Sequence, residues 1–251
     1  MIYVATRAGT RHEISEDTVL VGQEIITGAS GIYEMPEAGF VCVADGVGGH
    51  RGGAVASQFV MKALRDADSS PETLRETLAG VNEKLIEQAR KTPDATDMAT
   101  TLTGIWRKDS ACRLIHIGNT RAFMRQGRYL KQMTSDHTTY NWLKSSGQLE
   151  AAENCNKSEI TNCFGGADDK LLSKLVVSEL TLFSLLLLTS DGVHDHVDLD
   201  TLEDILNGEG DYLVKCETMI AAAVNNGSED DMTVVIVIPS GNKEEMKDMV
   251  K

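Results

Sequence analysis

Acidic residues stand beside apolar, strand-like runs at three distant places in the chain. Asp45 follows the run VCVA and precedes Gly46, and Asp191 follows LLLLTS and again precedes a glycine. Asp230 and Asp231 come directly before the run MTVVIV. A carboxylate beside an apolar strand is costly to bury unless a cation or a hydrogen-bond donor compensates its charge. Each of these places is therefore a candidate for binding chemistry.

A fourth acidic place is the pair Glu16 and Asp17, which directly precedes the run TVLVG. Mg²⁺ and Mn²⁺ prefer oxygen ligands, commonly a few carboxylates together with water. A glycine after an aspartate lets a backbone carbonyl or a substrate approach closely. Together these places predict that carboxylates at several strand ends converge on one metal cluster. The alternative for any single Asp-Gly pair is an ordinary turn, and spacing in the sequence does not decide between the two.

The composition disfavours several other classes of protein. The 251 residues carry a formal net charge of −14, and no stripe of basic residues indicates a nucleic-acid-binding face. Five cysteines are scattered without a C-x-x-C pair, which disfavours a disulfide framework or a zinc site and favours a reducing, cytoplasmic location. The N-terminal MIYVATRAG does not resemble a signal peptide, and the apolar stretch LFSLLLLT is too short to span a bilayer. We expect neither a nucleic acid nor a membrane as partner.

Hydrophobic periodicity predicts the elements that must position these carboxylates. The order is strands, two helices, many strands, two helices and one strand, which favours an α+β layered fold. Ser70 and Pro71 are predicted as the N-cap and first position of the second helix. KLLSKLVVSEL and LFSLLLLTSDG are predicted as strands, and residues 148–163 as an irregular, mobile surface flap. We expect one catalytic domain over residues 1–240 and a short tail over residues 241–251.

Seven segments, in order over residues 9–238, resemble motifs of the metal-dependent protein serine/threonine phosphatases, the type-2C family, in their compact bacterial form. They are SEDTVLVG, VADGVGGHRGGAVAS, MATTLTG, LIHIGNTRAFMRQGRYLKQMTSDH, ITNCFGG, LLLLTSDGVHD and EDDMTVVIV. The resemblance implies an α+β fold, a four-layer α-β-β-α sandwich. In that fold two antiparallel sheets are flanked by helix pairs, and the metals lie in a cleft at one end.

The resemblance also implies a role for each matching residue. Asp45 would be the central catalytic residue and would bridge two metal ions, Mn²⁺ or Mg²⁺. Glu16 and the carbonyl group of Gly46 would serve one ion, and Asp191 and Asp230 would serve the other. A water held between the two cations would lose a proton easily and attack the phosphorus atom in line.

Three positions depart from the family pattern. His12 stands where the family has a phosphate-binding arginine, and Arg11, one position away, would point to the opposite face of a strand. His12 is therefore the candidate catalytic phosphate contact, with a purely structural role as the alternative. The resemblance also implies that Asp195 is a ligand of a third, weaker metal ion. Asn119 replaces an aspartate of the family, and because an amide brings no charge, we expect this third site to be weakened or absent. Asp231 replaces an asparagine; its additional charge could tighten metal binding or lie in solvent, and we expect it to lie in solvent.

The resemblance implies an enzyme that removes phosphate from serine and threonine in proteins, opposing a serine/threonine kinase in signalling. We expect a monomer with an open site, next to which a flap at residues 138–164 biases the choice of phosphoprotein. His12 and Asn119 support an alternative, a catalytically weak relative that binds a phosphorylated partner. A calcium-buffering acidic domain is disfavoured, because the sequence lacks EF-hand spacing.

Overall fold

The computed structural model describes residues 1–10, 14–47, 52–92, 98–166, 168–181 and 183–239. His12 and the tail at 241–251 lie outside the described residues. The strands are β1 (Ile2–Arg7), β2 (Asp17–Val21), β3 (Glu24–Ile26), β4 (Ser30–Tyr33), β5 (Ala38–Val47), β6 (Ala99–Thr100), β7 (Leu102–Lys108), β8 (Ala111–Ile117), β9 (Arg121–Gln126), β10 (Tyr129–Gln132), β11 (Phe164–Gly165), β12 (Val176–Glu179), β13 (Leu186–Thr189) and β14 (Met232–Val237). The α-helices are α1 (Gly52–Arg65), α2 (Leu74–Lys91), α3 (Thr139–Ser145), α4 (Leu149–Asn154), α5 (Asp191–His194), α6 (Leu199–Asn207) and α7 (Tyr212–Asn225).

Within the described ranges the strands form two antiparallel sheets. The first sheet has the order β10-β9-β13-β14-β1-β4, so the last strand of the chain pairs with the first. The second sheet has the order β11-β6-β5-β7-β8-β12, and β2 pairs with β5 as well as with β3. Two of these pairings, β2 with β5 and β13 with β14, bring the acidic positions together.

Successive side chains of β5 point to opposite faces of the second sheet, and both faces are buried. Phe40, Cys42 and Ala44 belong to the apolar cluster that includes α1 and α2. Val41 and Val43 belong to the cluster that includes the first sheet. Because successive side chains of a strand point to opposite faces, a continuous apolar run of this kind has to be covered on both sides.

The buried apolar side chains of the described residues form three layers. Helices α1 and α2 cover the outer face of the second sheet, and the two sheets pack face to face. Helices α6 and α7 cover the outer face of the first sheet. The fold is therefore an α+β four-layer α-β-β-α sandwich, which confirms the predicted fold class. No helix in the described part of the chain is long and apolar enough to cross a membrane.

The second helix begins at Leu74 and not at Pro71 as predicted. Ser70 and Thr73 bond to each other first: the Ser70 N–H donates to Thr73 Oγ1 at 2.9 Å, and the Thr73 N–H donates to Ser70 Oγ at 3.3 Å. These bonds close a turn ahead of the helix. Ser70 therefore caps the turn that leads into α2, as predicted, although the helix itself begins at Leu74, whose N–H donates to the Ser70 carbonyl at 2.9 Å.

Three other predicted elements are shorter or of another type. In the predicted strand KLLSKLVVSEL, Asp169–Lys174 forms a 3-10 helix, and the strand is confined to β12. The Asp168 carboxylate accepts from the Lys170 N–H at 2.9 Å, which starts a helical turn where a strand was predicted. Of the stretch LFSLLLLTSDG, β13 covers only Leu186–Thr189. The segment 148–163, predicted to be irregular, contains helix α4.

Candidate functional site

Asp45 lies inside β5, which continues to Val47, and not after the end of the strand as predicted. Its antiparallel partner in β2 is Asp17, so the two carboxylates stand opposite each other. Like charges in directly opposite positions destabilise a sheet. Asp17 is fully buried, and burial raises its pKa to about 8, although the hydroxyl groups of Thr233 and Ser190 act to lower it. The pair needs a compensating positive charge before both groups ionise at neutral pH.

Asp191 and Asp230 reach the same region from the first sheet. Asp191 follows β13 and begins α5, and Asp230 precedes β14, the antiparallel neighbour of β13. Gly192 permits the close approach, because a Cβ atom there would collide with the backbone carbonyl of Asp231. Neighbouring strands therefore bring two acidic segments together that are far apart in the sequence.

These carboxylates strongly influence one another. The carboxyl groups of Asp45 and Asp191 are in hydrogen-bonding contact. Burial raises the pKa of Asp45 well above its ordinary value, and the charges of its three acidic neighbours, Asp191, Asp17 and Asp230, raise it further. Burial, followed by the charges of Asp230 and Asp195, raises the pKa of Asp191 to about 6. Because Asp45, Asp191 and Asp230 keep partial exposure, the cluster is open to solvent.

Glu16 is held at this cluster through its backbone. Its N–H donates to Oδ2 of Asp231 at 2.7 Å, and its carbonyl accepts from the Gly46 N–H at 3.2 Å. Its carboxylate lies against Gly53 of α1, where a Cβ atom would stand 2.5 Å from Glu16 Oε2. A side chain on Gly46 would in turn collide with the backbone of Gly53. The glycines after Asp45 therefore let helix α1 pack directly on the acidic cluster.

Asp231 is buried, so the prediction that its charge lies in solvent is wrong. Only 3% of the residue is exposed. Its Oδ1 accepts from the Gly9 N–H at 2.8 Å, and its Oδ2 accepts from the Glu16 N–H at 2.7 Å. Backbone donors from the segment before β2 thus compensate a carboxylate that would otherwise be costly to bury.

The segment MATTLTG orients Asp45 through its backbone. The Asp45 N–H donates to Thr101 Oγ1 at 3.0 Å, and the Asp45 carbonyl accepts from the Thr101 N–H at 2.8 Å. The Thr100 hydroxyl donates to the same carbonyl at 2.9 Å. Both threonines are fully buried, so they support β5 from inside the fold.

Asn119 lies beside Asp191 and next to a cavity. Its Nδ2 donates to Oδ2 of Asp191 at 2.8 Å, and its Oδ1 is buried with no hydrogen-bond partner among the described residues. Asn119 lines a cavity of about 140 Å³ together with Asp195, Arg121 and Lys157. The cavity is also lined by Asp136, which pairs with Arg121, so its two cations and two carboxylates balance. The expectation that the third metal site is weakened or absent stays a prediction.

The acidic cluster has the donor chemistry that hard divalent cations prefer. Asp17 Oδ1 is buried without a hydrogen-bond partner, and the carboxylates on both sheets carry more negative charge than the described surroundings compensate. Within the described residues, no three His, Cys, Asp or Glu side chains already surround a single point at ligand distances. A cation held by several of these carboxylates would therefore require side-chain rotations, and Asp45, Asp191 and Asp230 are partly exposed.

The predicted site residues thus divide into groups by position. Asp45, Asp191 and Asp230 share one cluster, and Glu16 is fastened beside Gly46 at its edge. Asp195 is exposed and lines the adjacent cavity, while His12 lies outside the described residues.

Asp17 was not selected from the sequence, although it lies deepest in the cluster. The available signal was its place next to Glu16 at the start of an apolar run. Its position opposite Asp45 depends on the pairing of β2 with β5, which no local pattern specifies.

The layered fold is that of a known class of protein. A sequence model described as protein phosphatase 2C matches residues 33–224. The chain therefore belongs to the protein phosphatase 2C family, as its motifs predicted.

Characterised relatives agree with this assignment. The serine/threonine phosphatase stp of Listeria monocytogenes is 30% identical over 220 residues, covering 82% of this chain and 87% of the relative. The protein phosphatase PhpP of Streptococcus pneumoniae is 31% identical over 208 residues, covering 78% and 84%. The crystal structure of the Mycobacterium tuberculosis serine/threonine phosphatase PstP/Ppp superposes with a TM-score of 0.76 at 26% identity, covering 94% of this chain and 97% of that one. These relatives confirm the predicted enzyme class, a protein serine/threonine phosphatase.

Proposed function

We propose that this chain hydrolyses phosphoserine and phosphothreonine in proteins and that two Mn²⁺ or Mg²⁺ ions assist the reaction. The observation that carries the proposal is the cluster of Asp17, Asp45, Asp191 and Asp230, in which carboxylates from both sheets raise one another's pKa. Partly buried negative charges this close together persist at neutral pH only if a cation or a proton compensates them. A pair of divalent cations would provide that compensation.

The proposed metal ligands are four carboxylates and one carbonyl group of the cluster: Asp45, Glu16, Gly46, Asp191 and Asp230. Bound cations would supply Lewis-acid chemistry, which lowers the pKa of water and balances charge on the phosphoryl oxygens. Asp45 belongs to one sheet and contacts Asp191 of the other, which suits it to hold both ions. Asp17 lies behind it, and its Oδ2 accepts from the Ser190 hydroxyl at 2.7 Å.

Two further residues belong to the proposal with smaller roles. His12 would contact the substrate phosphate, as its place in the sequence motif suggests. Asp195, together with the amide oxygen of Asn119, would form at most a weak third cation site, because Asn119 is neutral and already donates to Asp191.

The open edge of the cluster suits a phosphoprotein substrate, and the relatives described above are themselves called serine/threonine phosphatases. We propose a serine/threonine kinase as the opposing enzyme in signalling. We further propose a cytoplasmic monomer with one catalytic domain over residues 1–240 and a tail over residues 241–251. The five cysteines are free thiols, in keeping with a reducing compartment.

Hydrolysis of p-nitrophenyl phosphate in Mn²⁺, with and without excess EDTA, tests the metal mechanism. We expect EDTA to abolish activity and Asp45→Asn to lower kcat by at least about a hundredfold, more than the loss of an outer-shell partner. The matched control is Asp68→Asn, because the Asp68 side chain is 94% exposed and pairs with Lys108 at the surface. Activity that survives both EDTA and Asp45→Asn would refute the proposal.

The same assay addresses the second candidate, a catalytically weak module that binds a phosphorylated partner. The neutral Asn119 beside Asp191 favours it, since it replaces a charged group. Wild-type protein that binds a phosphoserine peptide, yet hydrolyses neither the peptide nor the aryl phosphate in Mn²⁺, would support the module and exclude the enzyme.

We propose that the flap at residues 138–164 biases the choice of substrate. Tyr140 and Lys157 of this segment line the cavity beside Asn119, and Trp142 is 60% exposed. Trp142→Ser should therefore lower turnover of a phosphoprotein more than turnover of aryl phosphate. Tyr129→Ser is the matched control, because Tyr129 is 72% exposed on β10, outside the flap. Equal effects on both substrates would count against recognition by the flap.

A further inference from the structure

The buried carboxylate of Asp231 joins parts of the chain that are far apart in sequence. Its Oδ1 accepts from the N–H of Gly9, 222 positions away, and its Oδ2 accepts from the N–H of Glu16, 215 positions away. The distances are 2.8 and 2.7 Å, which are short for N–H donors and typical of charge-assisted bonds. Asp231 is 3% exposed, so little water competes for these donors.

These bonds fasten both ends of the connection between β1 and β2. The Thr10 N–H also donates to the Glu229 carbonyl at 2.8 Å. A Cβ atom on Gly9 would collide with the backbone of Glu229 and Asp230, so the two segments are in direct backbone contact. The residue that leads into the second sheet, Glu16, is thereby attached to the segment that leads into β14 of the first sheet.

An asparagine could not make this pair of bonds. A carboxylate accepts at both oxygens, whereas a carboxamide offers one acceptor and one NH₂ donor. In either orientation the NH₂ group would face a backbone N–H, and one of the two bonds would be lost. The two carboxylate oxygens of Asp231 are therefore matched to these two backbone N–H groups.

We propose that Asp231 is a positioning residue that sets the affinity of the site for Mn²⁺ by fixing Glu16 relative to Asp230. Asp231 need not contact the cation, because it acts through the backbone N–H of Glu16 and through its own place next to Asp230. The inference rests on the proposed function, in which Glu16 and Asp230 are ligands. It adds a determinant of metal affinity that the family motif, with asparagine at this position, does not contain.

Direct Mn²⁺ binding, measured without substrate from the electron paramagnetic resonance signal of free Mn²⁺, tests this inference. Asp231→Asn should weaken binding about 10- to 100-fold, the range for loss of an outer-shell partner of a metal ligand. The control is Asp136→Asn, since Asp136 is also buried and accepts from Arg121 at 2.7 to 3.1 Å. It removes the same charge and a buried hydrogen-bond acceptor while leaving Glu16 untouched, and we expect a change of less than about threefold.

The outcomes separate the two proposals. Wild-type protein that binds no Mn²⁺ would overturn the proposed function. Wild-type protein that binds Mn²⁺, with equal losses in Asp231→Asn and Asp136→Asn, would overturn only the positioning role, because the effect would then be one of charge.

A second measurement does not require any variant to fold. In metal-free wild-type protein, the amide protons of Gly9 and Glu16 should exchange slowly with solvent and resonate downfield in proton–nitrogen NMR spectra. Exchange of either amide at the rate of an exposed loop would overturn the proposal that Asp231 holds both N–H groups.

Discussion

Replacing Gly53 with alanine should weaken metal binding while leaving the fold stable. A Cβ atom at this position would stand 2.5 Å from Oε2 and 2.6 Å from the carboxyl carbon of Glu16. Nonbonded carbon and oxygen atoms normally stay roughly 3.5 Å apart, so the Glu16 carboxylate has to move by roughly 1 Å. The displaced group is the end of a flexible side chain, so the rest of the fold can stay in place.

The size of the effect follows from this displacement. A misplacement of about 1 Å at a reacting centre lowers rates by about a hundredfold, which corresponds to about 2.7 kcal/mol. We therefore expect Gly53→Ala to lower kcat/KM at subsaturating Mn²⁺ by about a hundredfold and to raise the Mn²⁺ concentration needed for half-maximal activity. The free energy of unfolding should change by less than about 1 kcal/mol, because alanine favours a helix over glycine by a similar amount.

The assay is hydrolysis of p-nitrophenyl phosphate across a Mn²⁺ titration, paired with urea unfolding in EDTA. Gly80→Ala is the matched control, since Gly80 lies in helix α2 and a Cβ atom there would meet nothing within 4 Å. It should raise the free energy of unfolding by about 0.5–1 kcal/mol and leave the Mn²⁺ dependence unchanged. A wild-type Mn²⁺ dependence in Gly53→Ala would refute the argument that Glu16 is a ligand fixed against Gly53.

Three further predictions concern stability. Burial lowers the pKa of His137 to about 4 from its ordinary 6.5. Between these two pH values the unfolded chain binds a proton that the folded chain does not. The free energy of unfolding should therefore fall as the pH drops from 6.5 to 4. Allowing for partial solvent access, the fall is at most about 2 kcal/mol, and urea titrations should show a weaker pH dependence in His137→Gln. Lys215 is 8% exposed, and its Nζ donates to the Leu206 carbonyl at 2.8 Å. Because Lys215→Met removes this donor, it should lower the free energy of unfolding by about 1–2 kcal/mol. An unchanged Tm would contradict this. Gly104→Ala would drive a Cβ atom into the Val41 carbonyl of the neighbouring strand. The free energy of unfolding, measured with urea, should therefore fall by about 3 kcal/mol. An unfolding midpoint equal to that of the wild type would mean that the sheet relaxes around the added atom.

Local patterns in the sequence were sufficient for the fold class and for most of the acidic cluster. Continuous apolar runs predicted strands such as β5 and β14. The helical spacing of Val55, Phe59, Val60, Ala63 and Leu64 predicted the buried face of α1, of which Val60 and Leu64 are buried whereas Val55 is 45% exposed. Asp45 and Asp191 each stood between an apolar run and a glycine. These signals are readable because side-chain direction and turn geometry depend on residues only a few positions apart.

Local competition among hydrogen bonds explains the elements that were predicted wrongly. Ser70 bonds Thr73 in a turn, so α2 starts later than its sequence suggests. Asp168 bonds the Lys170 N–H, so a helical turn replaces part of a predicted strand. Asp and Ser side chains stabilise both caps and turns, and the sequence alone does not rank the two.

Residue type and local position therefore determined which carboxylates were candidates, and tertiary structure alone decided what surrounds them. Asp17 faces Asp45 only because β2 pairs with β5 in one register. The buried carboxylate of Asp231 accepts from the N–H groups of Gly9 and Glu16, which lie more than 200 positions away in the sequence. The free energy of a buried charge depends on the donors and charges within a few ångströms, and the folded chain draws those from segments that are remote in sequence.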